Sequence, residues 1–223
     1  MKVQGSAIKP LMMRVLAVRP MSTVLDVLQR RYGAVVTYEE PVYECRCDLL
    51  GKVGTAQARL AGGIIRLGWA LEQDSVEQVL PMLMKTQIRP RDANRMFAVR
   101  EAEAGRYHVY PVKARNVQGD LIPAKPLMSK RITLRMEKVT SAEAIEAVCA
   151  AVSNGGPPVA LAPSSPSIAK TLERPLPEPL VADAQEARDV LGRVLWAAAP
   201  ELSWQCLFDP RTRKHRLVVY DPF

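Results

Sequence analysis

The stretch RITLRMEKVTSAEAIEAVCAAVSNGGPPVALA, residues Arg131 to Ala162, decides the fold class. Ile132, Leu134 and Met136 alternate with polar residues, the period of a half-buried strand. Thr140 and Glu143 then form the T-x-x-E capping box that opens a helix. In that helix Ile145, Val148, Cys149 and Val152 recur at three- and four-residue spacing, so one apolar stripe faces a sheet. Asn154-Gly155-Gly156-Pro157 stops the helix, because glycine accepts the left-handed end conformation and proline cannot continue it. Val159-Ala160-Leu161 reads as a second strand, and the unit is β-α-β.

The same order stands near the other end of the chain. Arg14 to Val18 reads as a strand, Ser22 as an N-cap, and Val24, Leu25, Leu28 and Tyr32 as the apolar face of a helix. Arg30 and Arg31 complement its C-terminal dipole and Gly33 ends it. The β-branched run Ala34 to Tyr38 follows as a strand, closed by Glu39-Glu40-Pro41. Ala58 to Leu60 and Ile64 to Leu67 flank Ala61-Gly62-Gly63, which predicts a glycine-turned hairpin. Ser75 and Gln78 predict a second capping box, for a helix shortened or kinked by Pro81. Met96 to Val99 and Tyr107 to Tyr110 pair around Glu103-Ala104-Gly105.

Lys113 to Lys130 reads as a loop and separates the halves. Residues 157–182 hold seven of the eighteen prolines and read as a semi-extended connection. Asp183 and Glu186 predict a third capping box, leading a helix with Val190, Leu191, Val194 and Leu195 inward. Leu202 to Phe208, the turn Asp209-Pro210-Arg211, and Leu217 to Tyr220 make a closing hairpin.

The expected fold is therefore α+β, with two similar small lobes at 1–115 and 131–223 joined by a loop at 116–130. Each lobe gives β-α-β followed by α-β-β, its helices packed on small mixed or antiparallel sheets. The repeated order, down to Val109-Tyr110 and Val219-Tyr220 in the closing strands, implies an internal duplication.

The chain has 223 residues, 48% of them hydrophobic and only 5% aromatic, which suits an aliphatic core. No apolar run reaches the length of a spanning helix. The first residues lack a secretory signal, which, if the chain start is genuine, points to the cytoplasm. The net charge of +8 favours acidic partners, whether nucleic acid, anionic lipid or an acidic protein surface. The strands lack the interleaved aromatics that stack bases, so nucleic acid is the alternative rather than the first choice. The densest basic patch, Arg211, Arg213, Lys214 and Arg216 around a predicted turn, is the candidate partner-binding feature.

Chemistry-bearing motifs are sparse. His108 sits in a predicted strand and His215 in the basic turn, so the two do not converge on one site. Glu39-Glu40 reads as a strand end. The two glycines at 62–63 belong to neither phosphate-binding fingerprint. Cys45-Arg46-Cys47 lacks the further ligands of a structural zinc site. A disulfide involving Cys45, Cys47 or Cys206 stays open for an exported chain, and Cys149 reads as a buried hydrophobe. Trp69, Trp196 and Trp204 could anchor a partner, but core or half-buried packing is the commoner role for tryptophan. No catalytic, cofactor or metal residue is expected.

Arg14 to Leu28 followed by Tyr32-Gly33-Ala34-Val35-Val36-Thr37-Tyr38 resembles the secretin and TonB short N-terminal domain. In that family a strand, a helix, a glycine and a strand ending in tyrosine follow in this order. Ala187 to Tyr220 is similar to the end of the same module. The resemblance implies a periplasmic, non-enzymatic α+β module of the bacterial envelope that contacts a protein or an envelope polymer.

Overall fold

A computed structural model describes residues 12–68, 75–84, 88–89, 96–103 and 105–223; at 12–16, 66–68, 88–89 and 103 it gives the backbone alone. The predicted lead-in at 1–11, Trp69 and the turn residue Ala104 lie outside the described residues. The fold is α+β. No helix among the described residues is long and apolar enough to cross a membrane.

The first half runs β1 (Met12–Ala17), α1 (Pro20–Tyr32), β2 (Val35–Glu39), β3 (Leu49–Leu50), β4 (Arg59–Leu60), β5 (Gly63–Gly68), α2 (Val76–Met84), β6 (Ile88–Arg89), β7 (Phe97–Glu103) and β8 (Arg106–Pro111). A short hairpin, β9 (Lys113–Arg115) and β10 (Leu121–Pro123), and a single 3-10 turn at Leu127–Ser129 lead into the second half. That half runs β11 (Arg131–Met136), α3 (Ser141–Ser153), β12 (Val159–Leu161), α4 (Pro166–Leu172), β13 (Leu180–Glu186), α5 (Ala187–Ala198), β14 (Ser203–Asp209) and β15 (Lys214–Tyr220).

Strand pairing follows a common scheme in both halves, except that β6 adds a third strand to the first small sheet with no counterpart in the second. The first strand of each pairs antiparallel with the strand that precedes the second long helix, β1 with β5 and β11 with β13. The strand after the first helix pairs parallel with the last strand of the hairpin, β2 with β8 and β12 with β15. The hairpins β7–β8 and β14–β15 complete two three-stranded units. A parallel pairing of β2 with β14, Tyr38 opposite Gln205 and Glu39 opposite Cys206, fuses these into one sheet of order β12-β15-β14-β2-β8-β7. Two buried clusters follow the division, one from Met21 to Val109 and one from Met128 to Val219. In each half the first helix lies between the small sheet and the large one, α1 against β1, β5 and β2, and α3 against β11 and β12.

The capping box of α3 forms as the sequence predicts, with Thr140 and Glu143 satisfying each other's backbone N–H groups. Gly33 ends α1 in the left-handed region at φ 64°. Pro81 lies inside the nine-residue α2.

Other expectations are corrected. In neither half do the two strands of the predicted β-α-β unit share a sheet, because the first joins the small sheet and the second the large one. Helix α1 begins at Pro20, so Ser22 is inside it, buried, donating to Gln205 Oε1 at 2.7 Å. The predicted hairpin across Gly62 does not form: β4 pairs with β3, and β5 pairs with β1. The loop at 113–130 contains the β9–β10 hairpin. Residues 157–182 hold β12, α4 and the start of β13, and bury Leu172 and Leu180. Asp183 belongs to β13, while Glu186 precedes α5 without a capping bond and pairs with Arg188 at 2.7 Å.

Candidate functional site

Asp209 organises the basic turn. Its carboxylate accepts from the Arg211 N–H and from Arg216 Nη2, each at 2.9 Å, and its carbonyl accepts from the Arg213 N–H. Arg211, Arg213, Lys214 and Arg216 are all exposed, so the patch read from the sequence is a solvent-facing surface. His215 is not part of it. The ring is buried in β15 against Phe208, with Nε2 3.3 Å from the Glu40 carbonyl, and burial lowers its pKa to about 4.

One turn residue, Arg213, also lines a cleft of about 540 Å³ beside the loop that follows β2. That loop leaves the sheet where Glu40 N–H donates to the Cys206 carbonyl, and Tyr43 then packs on Phe208 with ring centroids 6.1 Å apart. The β3–β4 pair folds it back, and Gly54 N–H donates to the Pro210 carbonyl at 2.8 Å, tying loop to turn. At the tight corner Gly51 has φ +80°, and any Cβ there would stand 2.8 Å from the Gln57 carbonyl oxygen, so only glycine fits.

The cleft is apolar inside and cationic at its rim. Val42, Tyr43, Leu49, Val53, Val117 and Phe208 supply the apolar surface, and Arg46, Lys52 and Arg213 surround it with Glu44 as the one acid. Val117 is 63% exposed. Sequence reading found only Arg213 of this set. The segment 42–73 carries no usable periodicity, and the cleft assembles from three separated pieces of chain. An isolated Val117 in a polar loop was the one local signal.

A second group of arginines makes contacts within the molecule. A groove at the junction of the halves is lined by Arg100, Arg106, Arg131, Arg188 and Arg193. Arg100 of β7 pairs with Glu186 and Asp189 of the second half. Arg106 donates to the Pro200 and Leu202 carbonyls at 3.1 and 3.2 Å and lies over the Trp196 ring. Arg193 donates to the Val181 carbonyl and to Gln185, and Arg131 to the Ala184 carbonyl. These guanidinium groups join elements of the fold.

Glu39 ends β2 and Glu40 follows it, and both are buried. Glu39 accepts from the backbone N–H groups of Leu127 and Met128. Burial nevertheless raises its carboxyl to about 7. Its Oε2 lies 4.0 Å from His108 Nε2, but burial holds His108 well below its usual value, so the pair is a carboxyl facing a neutral imidazole. Glu40 pairs with Arg19 and accepts from the Phe208 N–H at 3.0 Å. His108 thus neighbours the Glu39 carboxyl, and His215 the Glu40 carbonyl.

Cys45 and Cys47 form a disulfide, while Cys149 and Cys206 are buried free thiols. Trp204 is buried beside His108 at 5.0 Å, as a packing residue should be, and Trp196 is half exposed under Arg106. Comparison with known protein families, with characterised proteins and with solved structures finds no match.

Proposed function

We propose that this chain is a non-enzymatic protein-interaction module of the bacterial envelope, built by duplication of one small α+β unit resembling the secretin and TonB short N-terminal domain. The cleft between the Cys45–Cys47 loop and the basic turn takes an extended, acidic segment of a partner protein. The observation that carries this reading is the combination at one place of an apolar floor and the rim cations Arg46, Lys52 and Arg213. Apolar contact supplies affinity, and the rim selects for charge.

Three further features support it. The repeated pairing scheme of the halves is what a duplicated unit produces. A disulfide suits an oxidising compartment such as the periplasm. The burial of His108 in the sheet suits a binding role better than acid–base catalysis, which needs a group within reach of substrate.

The test is fluorescence anisotropy with labelled extended peptides that alternate Glu with Val or Leu, against Lys-containing controls. Binding in the micromolar range is expected for the acidic series, weakened about tenfold by Arg213→Glu or Val117→Asp. A parallel titration uses random-sequence DNA and RNA between about 50 and 200 mM salt. Tight binding there with a steep salt slope, and none to the peptides, would overturn this reading in favour of a nucleic-acid binder.

A further inference from the structure

Cys45 and Cys47 are bridged across the single residue Arg46. Stabilisation by loop closure grows with the length of the loop, so a bridge this short contributes little as a staple. The loop is also held by other means: Asp48 N–H donates to the Cys45 carbonyl at 3.1 Å, β3 pairs with β4, and Gly54 is tied to Pro210. A structural explanation for the bond is therefore weak.

Its surroundings suit exchange. Cys45 is 5% exposed, whereas Cys47 is half-buried and follows the exposed Arg46, so an incoming thiolate reaches the Cys47 sulfur first. The Cys47 backbone N–H donates to Cys45 Sγ at 3.1 Å, a dipole aimed at the sulfur that would leave as thiolate. Asp48 brings a carboxylate oxygen within 4.8 Å of both sulfurs. Its Oδ2 is buried with no hydrogen-bond partner among the described residues, and burial pushes the carboxyl above its ordinary value while Arg115 pulls the other way. A half-desolvated carboxyl next to a reducible disulfide is placed to carry protons.

We propose that Cys45–Cys47 is a thiol–disulfide exchange site that accepts two electrons from a dithiol on a second protein, with Asp48 relaying protons. The partner's thiolate attacks Cys47 Sγ, and the Cys45–Cys47 bond breaks with its electron pair on Cys45, which takes the proton of the Asp48 carboxyl. The partner's second thiol passes its proton to the Asp48 carboxylate and attacks its own sulfur in the mixed disulfide. Cys47 leaves as thiolate and is protonated from Asp48, which recovers from water the proton released when the first partner thiol ionised. One dithiol becomes a disulfide, and Cys45 and Cys47 become two thiols. Cys149 and Cys206 do not compete, because burial raises both thiols, Cys149 to about 12.

The experiment follows the bond in the full chain by alkylation and mass spectrometry. Dithiothreitol is expected to open Cys45–Cys47 in the folded protein at least as fast as in protein unfolded in guanidinium chloride. With oxidised glutathione, the Cys45→Ser variant should form a mixed disulfide through Cys47 at least about tenfold faster than Cys47→Ser does through Cys45. Asp48→Asn should slow opening about tenfold and flatten its pH profile, with an unchanged circular dichroism spectrum. A bond that opens only on unfolding would overturn the proposal, as would equal reactivity of the two single-cysteine variants. So would tight Zn²⁺ uptake by the dithiol form without exchange, which would make Cys45, Cys47 and Asp48 a metal site instead. The single-cysteine comparison does not depend on the fate of Asp48→Asn.

Discussion

Glu39 carries a proton-dependent contribution to stability whose sign can be worked out. Its carboxyl is buried, and two backbone N–H groups do not offset the loss of water, so its folded value is about 7 against 4.5 for the free group. The folded state thus holds this proton more firmly than the unfolded chain does. The Glu39 contribution to stability is intact below about pH 4.5 and is lost as pH rises to about 7. His215 behaves in the opposite sense. Burial lowers it from 6.5 to about 4, so its contribution is complete above about pH 6.5 and is lost as pH falls toward 4. Between pH 5 and 6.5 the Glu39 slope is opposed by that of His215 and by that of His108, which burial also holds below its usual value. Glu39→Gln keeps an oxygen that accepts from Leu127 and Met128 but removes the titration. In urea melts it should match wild type near pH 4.5 and exceed it by about 1–3 kcal/mol at pH 8. A difference independent of pH would show that Glu39 titrates normally.

At the scale of elements, two glycines that look alike in sequence do different work. Gly33 and Gly62 both have positive φ, 64° and 75°, but a Cβ on Gly33 meets nothing within 4 Å, whereas on Gly62 it would stand 2.9 Å from the Ala17 carbonyl oxygen. Gly62 lets the chain entering β5 pass close to the end of β1, its sheet partner. Gly33→Ala should cost about 1 kcal/mol, the backbone term alone. Gly62→Ala should cost at least about 2 kcal/mol, because the β1–β5 pairing must shift as well. Equal losses in chemical denaturation would mean that the close approach carries no energy.

The same contact explains where the sequence misled. Local pattern around Gly62 suggests a hairpin, but its strand partner lies about fifty residues earlier, and periodicity cannot see a pairing at that distance. Elements with a strong local signature were legible, such as α3 with its capping box and the β14–β15 hairpin around Asp209-Pro210. The proline-rich segment was misread because composition conceals that Leu172 and Leu180 reach the core. The exposed turn Arg211 to Lys214 was legible as a basic patch. The apolar floor beside it was not, since Val42, Leu49, Val117 and Phe208 meet only after the sheet has formed.

For the molecule as a whole, the decisive question is whether two halves with separate cores behave as one. The β2–β14 pairing matches only two residue pairs, too few to unite them through backbone bonds alone. The seam is closed instead by buried side chains. Gln205 uses both ends of its amide, Oε1 accepting from Ser22 at 2.7 Å and Nε2 donating to Asp26 at 2.8 Å and to Tyr220 at 3.0 Å. Gln29 donates to Tyr220 at 2.7 Å, and Ser203 donates to the Val36 carbonyl at 2.8 Å. Polar groups buried this deeply are costly to leave unpaired, so separating the halves exposes or orphans several of them together. Far-UV circular dichroism and tryptophan fluorescence should therefore follow one coincident denaturant transition in the wild type. Gln205→Ala strands the Ser22 hydroxyl and one Asp26 contact in the seam, which should cost about 2–3 kcal/mol and pull the two probes apart as the halves begin to melt separately. Probes that already diverge in the wild type would mean that the continuous sheet is a geometric junction without energetic coupling, and that each half carries its own stability.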